Sequence, residues 1–253
     1  MTTINLTGKV ALVTGGSRGL GRAICLGFAA AGADVVIASR KQESCDAVAA
    51  EIRALGREAL PFATHMGDLG AIDRLIEGAL ESFGHIDILV NNAGISPTLS
   101  DLSSASPDLF QKMFDVNTRG PWYLASRIAP KMAAQGGGSM INMISVAALR
   151  PPAYQGIYAA TKAALEALTK VMAAEWAADH IRVNCIAPGS FHSDMFDAAA
   201  SIPGYLQGAV DASAMKRIAE TDEIIGPILY LASDLSSYTT GSTLVSDGGY
   251  LLI

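Results

Sequence analysis

Cysteine is scarce in this chain of 253 residues: three, at positions 25, 45 and 185, odd in number, far apart and forming no Cys-x-x-Cys pair. That is a poor disulfide framework and a poor zinc site, and it suits a reducing compartment. The four histidines (His65, His85, His180, His192) show no ligand spacing such as His-Glu-x-x-His, so no protein-held metal is expected. Positive charge is also in short supply. Eighteen Lys and Arg against 24 Asp and Glu leave a net charge of −6, which argues against a general nucleic-acid binder. Half of the chain is apolar, yet no apolar run approaches the ~18 residues that suggest a membrane span. Residues 1–9 lack a basic region followed by an apolar core. A soluble, cytoplasmic chain without a membrane or nucleic-acid partner is the expectation.

What is present is an alternation of short β-branched runs with longer helical patterns. Strands are predicted over 9–13, 34–39, 59–63, 86–91, 139–145, 181–187 and 242–245. Helices are predicted over 19–31, 42–55, 71–83, one long pattern over 107–132, then 158–178 and 221–233. Continuous apolar strands separated by helices mean a parallel sheet covered on both faces. Right-handed crossovers make it a doubly wound α/β sheet of about seven strands, whose ligands bind beyond the carboxyl ends of the strands. No linker or repeat divides residues 1–253, so a single domain is expected. The one long irregular stretch, 189–216, is read as a substrate-binding loop or lid.

The segment Thr14-Gly15-Gly16-Ser17-Arg18-Gly19-Leu20-Gly21 joins the first strand to the first helix. Glycines there let the backbone approach a pyrophosphate, and the helix N-terminus offers N–H groups and a positive dipole. The Gly-x-x-x-Gly-x-Gly spacing differs from the Gly-x-Gly-x-x-Gly fingerprint, and it is not the Lys-containing loop of nucleotide triphosphatases. Gly15–Gly19 also matches the Gly-x-Ser-x-Gly nucleophile elbow. On a first strand, however, that elbow would have no preceding strands to frame an oxyanion hole. The second strand ends in Ser39-Arg40-Lys41, with no acid to bind a ribose 2′-hydroxyl as an NAD site usually provides. Arg40, Ser39 and Arg18 suit a 2′-phosphate instead, because guanidinium pairs with phosphate in a bidentate manner. NADP(H) is therefore favoured, with NAD(H) as the alternative; a solvated basic turn is the plainer reading of the same residues.

Tyr158 and Lys162 lie four apart, on one face of a predicted helix, with Ser145 thirteen residues upstream. A phenol has a reference pKa near ~10. A cation beneath the ring lowers it, and Ser145 can hold a substrate oxygen beside it. Taken alone, the pattern is weak, and an amphipathic helix with Tyr at the core edge and Lys in solvent is its plainer reading.

Together these segments, with Asn91-Asn92-Ala93-Gly94, Asn117 and Pro188-Gly189, resemble the short-chain dehydrogenase/reductase family along the whole chain. The resemblance implies a Rossmann fold and a catalytic tetrad of Asn117, Ser145, Tyr158 and Lys162. Tyr158 would be the general acid in carbonyl reduction and the base in alcohol oxidation, with Ser145 polarising the substrate oxygen. Lys162 would bind the nicotinamide ribose and lower the Tyr158 pKa, and Asn117 would hold a water linking Lys162 to solvent. Cofactor contacts are implied at Gly15, Ser17, Arg18, Gly19, Leu20, Gly21, Ser39, Arg40, Asn91, Ala93, Gly94, Tyr158, Lys162, Pro188, Gly189, Phe191 and Ser193. His65 takes the place of the family's frequent adenine-binding Asp, with the Met66 backbone beside it and Asp68 too late in the loop. Ser193 stands where Thr is common. The expected substrate lining (Ser145, Val146, Tyr154, Phe191 and Met195, with Ile95, Ala147 and Phe196) is largely apolar. It points to a small hydrophobic ketone or secondary alcohol. The alternative is a 3-oxoacyl thioester on coenzyme A or an acidic carrier protein, met by Arg119, Arg127, Lys131 and Arg150. A nucleotide-sensing protein without turnover would typically lack the Tyr or the Lys. A homotetramer, or a homodimer, is implied by resemblance only.

Overall fold

The computed structural model describes residues 4–97, 101–193, 196–197 and 204–253. Seven strands form one sheet: β1 Val10–Thr14, β2 Asp34–Ser39, β3 Ala59–Ala63, β4 Ile88–Asn91, β5 Gly138–Met143, β6 Ile181–Pro188 and β7 Thr243–Ser246. Their order is β3-β2-β1-β4-β5-β6-β7, and every neighbouring pair is parallel. The order reverses between β1 and β4, which opens a crevice beyond their carboxyl ends where the glycine loop lies.

The helices are α1 Gly19–Ala30, α2 Gln42–Ala54, α3 Leu69–Phe83, α4 Pro107–Phe114, α5 Gly120–Ala134, α6 Val146–Leu149, α7 Gly156–Trp176, α8 Tyr205–Asp211 and α9 Ile225–Ala232. Strand side chains alternate between two cores. Ala11, Val13, Val35, Ile37, Ile141 and Met143 pack with Ile24 and Phe28 of α1, Ile52 of α2 and Ile228 of α9. Val10, Leu12, Val36, Leu89, Met140 and Val183 pack with Leu75 of α3, Leu124 of α5 and Met172 of α7. Both faces are covered, as continuous apolar strands require. Among the described residues, no helix is long and apolar enough to cross a membrane.

Local chemistry sets the helix ends. Asp68 caps α3 by accepting from Ala71 N at 3.1 Å, so it is committed to the helix start and not to a ligand. Gly84, at φ +78°, ends that helix in the left-handed region. Ser106 caps α4, with Pro107 at its first position.

The long helix expected over 107–132 is interrupted. A π-helical turn, Asp115–Arg119, separates α4 from α5, and the Gly120 N–H bonds to Asp115 O five residues back. Two neighbours account for it. A Cβ on Gly120 would lie 2.1 Å from Met66 O, so the backbone is pressed against the loop after β3. Pro121 has no N–H, so the α-helical donor for the Asn117 carbonyl is missing by chemistry. Such turns concentrate at functional sites.

Candidate active site

The glycine loop is built for close backbone approach. Gly15 and Gly19 take φ values of +66° and +51°. A Cβ on Gly21 would lie 2.0 Å from Gly15 O. Arg18 makes no side-chain cap at the start of α1, whose first-turn N–H groups have no acceptor within the helix. Asn92 closes the other wall: its Nδ2 donates to Thr14 O at 3.0 Å and to Gly15 O at 3.2 Å. The Thr14 hydroxyl accepts from the backbone of Asn92 and Ala93. Ser193 is brought opposite the loop, its Cβ 3.5 Å from where a Cβ on Gly19 would be. At the β2 end, Ser17 Oγ donates to Ser39 Oγ at 2.8 Å, and Arg18 and Arg40 are both exposed beside this pair. The cradle thus has room and hydrogen-bond donors for a dinucleotide.

Several expected contacts are placed differently. Asn91 is buried, and its amide donates to Pro121 O and to Asn142 Oδ1. Its side chain belongs to the sheet, and Asn92 is the residue that meets the loop. The Asn-Asn pair ends β4, so alternation alone assigns one side chain to each side. His65 is exposed and accepts from its own loop at Gly67 N, while Met66 is buried. The Phe191 ring is buried in the α1/α9 core, its backbone bridged to Ala219. It therefore cannot line a substrate site over Tyr158. A cavity of about 180 Å³ there, lined among others by Ser190, Phe191, Arg217, Glu223 and Tyr250, includes none of the expected catalytic residues. Met195 falls outside the described residues, and Phe196 is buried against His192 and Tyr205.

Ser145, Tyr158, Lys162 and Asn117 do converge. Ser145 follows β5 and caps the short α6, its Oγ accepting from Ala147 N at 3.1 Å. The same hydroxyl lies close enough to the Tyr158 phenol to lower its pKa. Lys162 is buried, 3% exposed, which removes the plain reading of a solvated lysine. Its Nζ donates to Met143 O at 2.6 Å and lies 5.8 Å from the Tyr158 ring centroid. Asn117 is fully buried, and its amide is spent on Ile95 N (2.8 Å), Ile95 O (2.9 Å) and Thr161 Oγ1 (3.1 Å). Asn117 Oδ1 and Lys162 Nζ each lie 3.4 Å from where a Cβ on Gly94 would be, so glycine keeps that space open. Val146 is partly buried beside Ser145, and Tyr154 is 65% exposed with a left-handed φ of +69°.

Burial governs both ionisable groups. It pushes the Tyr158 phenol up, with the neighbouring Ser145 hydroxyl working against the rise. That is opposite to the lowering expected from Lys162, whose ammonium is aimed at the Met143 carbonyl. Burial also lowers Lys162 to about 8, with the Cys185 thiol opposing. Because the folded pKa lies below the unfolded value, the penalty is full below pH 8 and gone above the unfolded value of 10.5. The two facing groups act oppositely: Tyr158 is raised, and Cys185 is pushed up to about 11, so both weaken folding as pH climbs. The wild type minus Lys162→Met difference in urea unfolding free energy is therefore expected to rise by on the order of 3 kcal/mol between these pH values. A flat difference would show that Lys162 is not buried as a charge.

Comparison with known proteins follows this geometry. Residues 15–251 match a family model described as enoyl-(acyl carrier protein) reductase. Dehydrogenase/reductase SDR family member 4 of Oryctolagus cuniculus is 36% identical over 244 residues, 96% of this chain and 94% of that protein. L-xylulose reductase of Caenorhabditis elegans is 36% identical over 247 residues, 97% of each. The solved L-sorbose reductase of Gluconobacter frateurii, complexed with NADPH and L-sorbose, superposes with a TM-score of 0.94 at 33% identity, over 100% of both chains. The chain belongs to the short-chain dehydrogenase/reductase family of NAD(P)-dependent oxidoreductases.

Proposed function

We propose that this chain is an NADP(H)-dependent carbonyl reductase, or the reverse alcohol dehydrogenase, acting on a small lipophilic ketone or secondary alcohol with Tyr158 as general acid and base. The observation that carries the reaction is buried Lys162 beside the Tyr158 ring, with the Ser145 hydroxyl near enough to the phenol to act on its pKa. A carbonyl oxygen held between the two hydroxyls would be polarised by Ser145 and protonated by Tyr158. Burial keeps the phenol protonated at neutral pH, the form a reductase needs when its substrate arrives. The phenolate left behind is favoured by the neighbouring ammonium, and Lys162 would also hold the ribose hydroxyls. The Asn117 main-chain oxygen, rather than its occupied amide, would hold the water that links Lys162 to solvent. A bound nicotinamide supplies the hydride. Gly15, Ser17, Gly19, Leu20 and Gly21 would hold its phosphates, and Ala93, Gly94, Pro188, Gly189 and Ser193 would flank the rest. Residues 1–253 would act as one unit, with 189–216 as its lid.

The Ser17–Ser39 hydroxyl pair beside Arg18 and Arg40 supports NADP(H). A charge-assisted hydrogen bond contributes roughly 1.5–3 kcal/mol. Arg40→Asp is accordingly expected to weaken NADPH binding about 10- to 100-fold while NADH binding holds or improves. Fluorescence titration with both cofactors checks this, and an unchanged ratio would sink the assignment. A carrier-bound substrate is disfavoured because Arg119 pairs with Asp115, Arg127 with Asp73, and Arg150 binds the Tyr250 and Ile253 carbonyls. Exposed Leu102, Leu149 and Tyr154, on segments next to Ser145 and Gly156, support an apolar substrate. Exposed Trp122, Val171 and Val245 suit packing in a homotetramer or homodimer. Oxidation of NADPH and NADH across ketones, diketones, ketoses and acyl thioesters tests reaction, cofactor and substrate together.

A further inference from the structure

A parallel sheet covered on both faces is expected to be apolar throughout, but one transverse row of this sheet is polar. Asn91 of β4 is in register with Asn142 of β5, Asn142 with Cys185 of β6, and Cys185 with Thr243 of β7. Register partners in a parallel sheet share a face, and this row faces α7. Asn91, Asn142 and Cys185 are buried, as is Thr169 of α7. Hydrogen bonds link the row, although Asn91 Oδ1 is buried without a partner among the described residues. Asn91 Nδ2 donates to Asn142 Oδ1 at 2.9 Å, and Asn142 Nδ2 donates to Thr169 Oγ1 at 2.8 Å. Cys185 Sγ donates to the same hydroxyl at 3.2 Å, and Thr169 Oγ1 donates to Leu165 O at 2.8 Å. At the sheet edge Thr243 Oγ1 donates to Glu166 Oε1 at 3.1 Å. At the other end Asn91 also donates to Pro121 O of α5 at 3.2 Å, just beyond the turn that carries Asn117.

Apolar residues of similar volume would fill this row with no polar group left to satisfy, so stability alone does not call for it. What the bonds add is direction. Apolar contacts let a helix slide or roll by fractions of an ångström, whereas paired donors and acceptors fix one register. Thr169 is seven residues beyond Lys162, two turns along the same face of α7. The main-chain carbonyl that receives Lys162 belongs to Met143, the residue after Asn142. One bond thus ties α7 to β5 next to the point where the lysine must reach.

We infer that Asn91, Asn142 and Thr169 are positioning residues: the polar row sets the height of α7 over the sheet, and so places Lys162 on Met143 O and Tyr158 against Ser145. The catalytic part rests on the proposed reductase reading; the placement of Lys162 does not. Thr169→Val keeps the volume and deletes the hydroxyl. It is expected to lower kcat at least tenfold with KM for ketone and cofactor within twofold. It should also shift the pH midpoint of the wild type minus Lys162→Met unfolding difference, measured again in the Thr169→Val background without cofactor, by half a unit or more. Thr169→Ser restores both. Should Thr169→Val not fold, Asn142→Ser shortens the donor, breaks the same bond and carries the same expectation. An unmoved midpoint overturns the inference, as does a loss of activity that only follows lost stability and is not rescued by Ser. If no carbonyl is reduced by the wild type at all, the reductase reading falls while the midpoint still decides the positioning role.

Discussion

Tyr158→Phe is expected to lower kcat for carbonyl reduction by about 10²–10⁴-fold, the range of a lost general acid, and to leave the dinucleotide Kd within about threefold. The substitution removes one oxygen and keeps the ring. Lys162 keeps its carbonyl partner at Met143, and Ser145 keeps the Ala147 N–H, so neither neighbour is released to move. A polar contact of the phenol is worth only ~1 kcal/mol to folding, too little to confuse with a catalytic loss of this size. Single-turnover reduction with saturating NADPH, alongside a cofactor titration, separates the two effects. Turnover within a few-fold of wild type would remove Tyr158 from the chemistry and favour a cofactor-binding protein that does not use it. Because burial raises the phenol, the reductive direction should also hold its rate well into the alkaline range. Oxidation needs the phenoxide and should improve as pH rises.

The fold was legible because its signals are local and repeated. All seven strands are β-branched or apolar runs between helical patterns, and each lies within two residues of its expected end or start, as cooperative boundaries allow. Spacing made one pair legible, since four residues along a helix bring Tyr158 and Lys162 to one face; their grouping with Asn117 was implied only by the family resemblance. What spacing does not carry is the partner each side chain finds in the folded chain. Lys162 was expected to act on the phenol, but burial drives its ammonium to the Met143 carbonyl and raises Tyr158 instead. Asn91 and Asn92 are chemically identical, and only the sheet decides which one faces the loop. Phe191 follows Pro188-Gly189 as expected, but its ring turns into the core through a bridge to a residue 28 positions on. The π turn had a signal that a helical-periodicity reading passes over: Gly120-Pro121, with proline standing where Asn117 needs a donor.

Gly21→Ala offers the second large effect, and its sign is informative. Gly21 lies in the first turns of α1, where alanine is ordinarily favoured over glycine by about 1 kcal/mol. Helix propensity therefore predicts a more stable protein. The surroundings predict the reverse. The new methyl carbon would lie 2.0 Å from Gly15 O and 2.6 Å from Asn92 Nδ2. One neighbour is main chain, held in the left-handed region at φ +66° where only glycine is at ease. Relief requires α1 to lift from the sheet or the loop to open, and either movement breaks the Asn92 bonds to Thr14 and Gly15. Overpacking of this kind costs about 1–3 kcal/mol, which for a chain of this length corresponds to a melting point lower by roughly 2–12 °C. The same movement displaces the N–H groups that would receive the pyrophosphate, so dinucleotide affinity should fall about 100-fold or more. Differential scanning calorimetry and a calorimetric NADPH titration on one preparation test both halves. A rise in melting point would mean that propensity wins and the close approach is soft. A fall in melting point with unchanged affinity would mean that the loop holds no phosphate.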